Sequence, residues 1–150
     1  RDQCVFADEI TTYDTMSVNV RYQSGAYLTY SLIAHSPYEG YKVTFNGTKG
    51  RIEAAAYANL LHPESGSEQI TLFNRQGEAV VYNLPPSVGV HGGGDARLQK
   101  ALFEPNFNDP LNQQASSFDG AMSILIGVAA NRSIAEHRPV TIASLLADPK

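Results

Sequence analysis

The sequence predicts an α+β fold: an open, mainly antiparallel β-sheet with helices packed on one face. Three observations predict it. Period-2 alternation of apolar and polar residues runs through the first half, in segments joined by turns too short for a crossover. Pro85-Pro86 closes that half, because proline cannot donate to a strand ladder. After it the apolar spacing changes to the 3.6-residue period of a helix, most clearly from Ser117 onward. Strands first and helices afterwards is the order of an α+β domain.

Taken in order, the chain opens with a weak strand over 3–7 and a polar connector. Residues 15–22 alternate without a break, with Met16, Val18, Val20 and Tyr22 on one side and Ser17, Asn19 and Arg21 on the other. Gln23-Ser24-Gly25 is a turn, and 26–34 returns. A third strand over 41–46 points Tyr41, Val43 and Phe45 one way. Gly47-Thr48-Lys49-Gly50 turns the chain into a fourth strand, 51–57. The spacing makes these four strands one meander. A loop over 60–68 carries His62-Pro63-Glu64-Ser65-Gly66. Strands over 69–73 and 79–83 flank the turn signal Arg75-Gln76-Gly77-Glu78.

In the second half, a helix is expected over 96–103 with Asp95 as its cap, since a carboxylate accepts from the free N–H groups of a first turn. A loop broken by Pro105 and Pro110 follows. Ser116-Ser117-Phe118-Asp119 resembles a capping box. The helix from Ser117 places Phe118, Met122, Leu125, Ile126 and Ala129 on one face, and a further turn is expected over 131–136. A short strand over 138–142 and the beginning of a helix over 143–147 complete the prediction.

A chain of 150 residues is enough for one domain with a core. Charged residues make up 17%, below the usual ~25%, so much of the surface is neutral and suits burial against another domain or subunit. The net charge is −4 and the basic residues are scattered, which excludes a nucleic-acid stripe. No apolar run reaches the roughly 18 residues of a membrane span. Cys4 is alone and is expected to be a small buried hydrophobe. Asn46-Gly47-Thr48 and Asn131-Arg132-Ser133 are sequons, read as chance or structural without secretory evidence. The polar sheet face, with Ser17, Asn19, Arg21, Tyr27, Thr29, Ser31, Lys42 and Thr44, is either solvated or an association surface.

The strongest local chemical signal is His91-Gly92-Gly93-Gly94-Asp95. Three consecutive glycines cost backbone entropy, so they belong where main chain approaches a ligand or another segment closely. They precede a helix N-terminus, which attracts anions and hydroxyl-rich ligands. The plainer alternative is a flexible turn with Asp95 as an N-cap. The loop His35-Ser36-Pro37-Tyr38-Glu39-Gly40 is the second candidate, because loops on a rigid sheet collect binding residues. His35, His62, His91 and His137 lack metal-ligand spacing. There is neither a nucleophile elbow nor a strand–glycine turn–helix unit that could hold a dinucleotide.

Six pieces, in this order and spacing, carry a resemblance. They are Asp14-Thr15-Met16-Ser17-Val18 with the Tyr22…Ser24-Gly25-Ala26 hairpin, and Asn46-Gly47-Thr48-Lys49-Gly50-Arg51-Ile52-Glu53. His91-Gly92-Gly93-Gly94-Asp95 and Asp119-Gly120-Ala121 follow, then Ala129-Ala130-Asn131-Arg132-Ser133-Ile134 and Arg138-Pro139-Val140-Thr141-Ile142. Together they resemble the C-terminal domain of the Gfo/Idh/MocA oxidoreductases, over about residues 14–146.

The resemblance implies a two-domain enzyme in which an N-terminal Rossmann domain binds NAD or NADP and this domain shapes a sugar or polyol pocket. Hydride passes between substrate and nicotinamide, with a lysine and a histidine outside this chain handling the proton. It implies substrate-positioning roles for His91, Asp95, His35 and Tyr38, and no catalytic, cofactor or metal ligand here. The open sheet is implied to form a homo-oligomer interface. The chain is accordingly expected to be part of a longer enzyme and inactive alone, and a cytoplasmic location is favoured. His-Gly-Gly-x-Asp with Gly-Thr-Lys-Gly and Ala-Asn-Arg-Ser is also similar to a branch of the superfamily that hydrolyses glycosides using NAD. A non-catalytic oligomerisation domain is the third reading.

Overall fold

The computed structural model describes residues 4, 7–58, 62–66, 68–85 and 88–147. The strand expected over 3–7, part of the loop over 60–68 and Pro86 lie outside the described residues. Two compact units share the chain: Arg1–Ala34 with Asn106–Lys150, and His35–Pro105.

In the first unit, β1 (Thr15–Arg21) pairs antiparallel with β2 (Tyr27–Ile33). The turn between them is closed by Tyr22 N–H donating to Ala26 O at 2.9 Å, with Gly25 at φ 87°. The register puts Met16–Leu32, Val18–Tyr30 and Val20–Leu28 on one face and Ser17–Ser31, Asn19–Thr29 and Arg21–Tyr27 on the other. The alternation read from the sequence is therefore real.

The same unit holds α2 (Ser117–Glu136), one unbroken helix of 20 residues that absorbs the expected extra turn. Its capping box forms as the sequence indicated: Asp119 N–H donates to Ser116 Oγ at 3.2 Å, and Ser116 N–H donates to Asp119 Oδ2 at 2.8 Å. Ala129 is buried and Met122, Leu125 and Ile126 are half-buried, as their shared face requires; Phe118, in the first turn, stays 68% exposed. The strand expected over 138–142 does not form. Pro139 removes a donor, and Thr141 instead caps α3 (Ile142–Ala147), its Oγ1 accepting from Ser144 N–H at 3.2 Å. Cys4 is exposed, not buried as expected.

The second unit is a four-stranded antiparallel sheet in the order β3-β4-β5-β6, with β3 Gly40–Asn46, β4 Gly50–Tyr57, β5 Gln69–Asn74 and β6 Ala79–Asn83. The meander expected over 15–57 is thus divided, since among the described residues β2 and β3 do not pair. Ala34 N–H closes back on Asp14 O at 2.7 Å, and the connection then runs through Pro37, which offers no N–H. The antiparallel α+β class stands. Neighbouring turns of this sheet are tied together where Arg75 Nε donates to Thr48 O at 2.6 Å. The side chain of Asn74 accepts from both Gln76 and Glu78 N–H, fixing the β5–β6 turn.

The register gives this sheet one apolar face and one mixed face, the latter with Val81 and Phe73 among its polar residues. Val43, Ala54, Ile70 and Tyr82 form one cross-strand row, and Phe45, Ile52, Leu72 and Val80 the next, beside Tyr41 and Ala56. This apolar face is open: Tyr41 is 65% exposed and Phe45 63%. The opposite face carries Lys42, Ala55 and Gln69 in one row and Thr44, Glu53 and Thr71 in the next. Lys42 and Thr44, expected to share a face with Ser17 and Asn19, belong to this separate sheet. Among the described residues only Tyr57 and Ala129 are buried apolar side chains.

Candidate functional site

Helix α1 (Gly94–Phe103) begins two residues earlier than expected, and Asp95 is not its cap. Gly93 occupies the cap position in a left-handed conformation, φ 78°, and no side chain caps the helix. The approach is a short turn, Val90–Gly93, in which His91 (φ 50°) and Gly92 (φ 63°) are also left-handed. Glycine adopts such angles at no steric cost; histidine does so at roughly 1–2 kcal/mol. Only a chain of glycines allows the run to continue. A Cβ on Gly93 would stand 3.0 Å from Val88 O.

The run turns the His91 ring onto Asp95, with Nδ1 to Oδ2 at 2.9 Å. A carboxylate only accepts, so Nδ1 carries the hydrogen, and in the neutral ring Nε2 then presents a lone pair outward. Both side chains are exposed, at 77% and 57%. Arg97 reaches back to Gly92 O at 3.3 Å and braces the glycine segment. The result is an oriented imidazole beside the N-terminus of a helix. It can accept a hydrogen bond, or a proton, from a hydroxyl group placed against Nε2.

Tyr38 belongs to a different cluster. Its ring meets Tyr57 edge-on at 5.7 Å and His62 edge-on at 4.7 Å. Tyr57 and His62 stack at 3.5 Å and 7°. Glu64 N–H donates to His62 Nδ1 at 3.1 Å, which puts the neutral ring's hydrogen on Nε2. The Tyr57 hydroxyl bonds Lys42 and, with the charge a phenolate would carry, raises the lysine above its ordinary value against the opposing effect of burial. His35 lies in the turn after β2, exposed. The structure therefore joins His91 to Asp95 and, separately, Tyr38 to Tyr57 and His62. Tyr57 and His62 were not singled out from the sequence. No local pattern marks them, because their contact depends on how the loop folds back on the end of β4.

No group of three or more histidine, cysteine, aspartate or glutamate side chains that could hold a metal exists among the described residues. No described helix is long and apolar enough to cross a membrane. Every strand pair described is antiparallel, so these residues do not form the parallel strand–helix–strand unit that a dinucleotide requires.

Residues 4–142 match the family described as "Oxidoreductase family, C-terminal alpha/beta domain", the Gfo/Idh/MocA group. The chain belongs to this family. It is 40% identical over 153 aligned residues to the Bacillus subtilis (strain 168) protein named "Putative oxidoreductase YteT". That alignment covers 96% of this chain and 34% of the relative, so the chain spans about a third of the length of the curated relative it matches. No solved structure matches it significantly. The family's C-terminal domain accounts for the antiparallel sheets.

Proposed function

We propose that this chain is the substrate-binding and oligomerisation part of an NAD- or NADP-dependent oxidoreductase that acts on a sugar or polyol. The observation that supports it is the His91–Asp95 pair, held on a left-handed glycine run before α1. That backbone is costly for stability alone, and a strained, exposed, oriented imidazole has a use at a binding site. His91 Nε2 accepts from a substrate hydroxyl, and Asp95 holds the ring in place. The cofactor, which supplies hydride exchange, is held by a Rossmann domain outside this chain. The exposed apolar sheet face around Tyr41 and Phe45 is the surface on which copies associate.

The test uses the protein expressed from the complete reading frame, with a panel of sugars and polyols and either nicotinamide cofactor. Reduction of the cofactor is expected, with kcat/KM falling at least roughly tenfold in His91→Ala, the size of one lost hydrogen bond to an oriented group. Activity unchanged by His91→Ala removes the residue from the site. The His-Gly-Gly-x-Asp element, set with Gly47-Thr48-Lys49-Gly50, also favours a second reading, an NAD-dependent glycoside hydrolase. Release of an aglycone without net reduction of cofactor would select it. Failure to bind any nicotinamide cofactor would select a non-catalytic oligomerisation domain.

A further inference from the structure

The polar face of the β3–β6 sheet is not flat. In the row Lys42–Ala55–Gln69 a methyl group stands between two long side chains, so Ala55 forms a floor between them. The resulting hollow measures about 470 Å³. Thr44 and Thr71 stand on either side of Glu53 in the next row, and Glu64 closes the hollow from the loop. Tyr57, the buried member of the aromatic cluster, forms one wall.

The chemistry of this lining is mixed. Lys42 and the threonine hydroxyls donate; Glu53 and Glu64 accept. Gln69 donates its Nε2 to Asn83 Oδ1 at 2.9 Å, which turns its carbonyl oxygen the other way. Glu53 is already engaged by Arg51 Nε at 2.5 Å, so the charges around the hollow nearly balance. A phosphate or carboxylate wants donors alone and would meet two carboxylates here. A neutral ligand with several hydroxyl groups uses donors and acceptors together. Lys42 and Tyr57 both line the hollow, so the ammonium donors and the phenol face the same space. The stacked Tyr57–His62 pair, with Tyr38 against it, fixes the wall from behind.

We infer that this hollow is a binding site for a neutral polyhydroxylated small molecule, distinct from the His91–Asp95 element, with Lys42 and Thr71 as its polar contacts. It shares no lining residue with that element and stands whether or not the proposed reaction does.

Maltose is the probe, with inorganic phosphate as the anionic comparison, titrated into the 150-residue chain while the ring resonances of Tyr57 and Tyr38 are followed by NMR. Maltose is expected to shift both rings saturably, and phosphate to leave them in place. Lys42→Met keeps the aliphatic stem and should weaken binding roughly tenfold, the loss of one charged hydrogen bond. If Lys42→Met does not fold, Thr71→Val carries the same test from the neighbouring strand. Absence of ring shifts with maltose overturns the inference. So do shifts with phosphate alone, or undiminished maltose binding in Lys42→Met. None of these outcomes depends on activity with a nicotinamide cofactor.

Discussion

Helices α1 and α2 begin with similar materials and are built differently. Each has a small residue at the cap position and an aspartate in the first turn. At α2 the two are reciprocal: Ser116 and Asp119 satisfy each other's backbone N–H groups. At α1 the cap is a left-handed glycine with no side chain, and Asp95 turns away to hold His91. The first start serves the stability of its helix. The second has glycine where a capping side chain would add about a few tenths of a kcal/mol, and turns its carboxylate to orienting a ring. A deficit of that kind, placed beside an exposed imidazole, is what a binding element looks like when the rest of the fold carries it.

The sharpest way to break this comparison is to substitute the same residue at both ends. Gly93→Ala forces a left-handed alanine whose Cβ meets Val88 O at 3.0 Å, and should cost roughly 1–2 kcal/mol. Gly120→Ala, in the first turns of α2 with nothing within 4 Å of its new Cβ, should gain roughly 0.5–1 kcal/mol. Urea midpoints of the two variants should therefore move in opposite directions. Movement in the same direction would mean that the α1 glycines are not selected for their backbone.

Next in size is the cap itself. Ser116→Ala removes an acceptor for Asp119 N–H and should lower stability by about 1 kcal/mol. Replacement of His91 by alanine, by contrast, should leave the start of α1 no less stable, since it removes a ring held by one exposed contact. If His91→Ala destabilises as much as Ser116→Ala, the His91–Asp95 pair is a cap by another route and the contrast between the two helices fails.

The sequence made some of this legible and some not. Alternation located the strands because the side-chain period of a strand is a local property, and all six appear within a residue or so of their expected ends. The capping box at Ser116 was legible for the same reason: its partners are three residues apart. Asp95 was misassigned because the same composition allows two hydrogen-bond partners, and the left-handed geometry of three residues decides between them. Which neighbours a strand pairs with is not a local property, so the grouping of the strands into β1-β2 and β3-β4-β5-β6 was not legible. The Tyr38–Tyr57–His62 cluster was half seen. Tyr38 stands out by its loop, while Tyr57 and His62 reach it only through the fold-back of residues 62–66 onto β4.

The smallest effect separates the two aspartates by pH. The Ser116 hydroxyl, and after it the Ser116 N–H, hold the Asp119 carboxyl below the usual carboxylate range. A carboxylate whose folded value is depressed stabilises the protein fully above its unfolded value, near ~3.9. That contribution is lost as pH falls through the lower folded value. Asp119→Asn should therefore trail the parent chain in stability near neutral pH, with the gap closing below about pH 4. Asp109, lowered mainly by the Gln113 N–H, and Glu136, lowered mainly by Arg132, titrate in both proteins and cancel in the difference. Because Asp119 is exposed, added salt should shrink the gap further. A gap that stays constant into acid would show that the hydroxyl of Ser116 alone holds the start of α2, with the aspartate's charge contributing nothing.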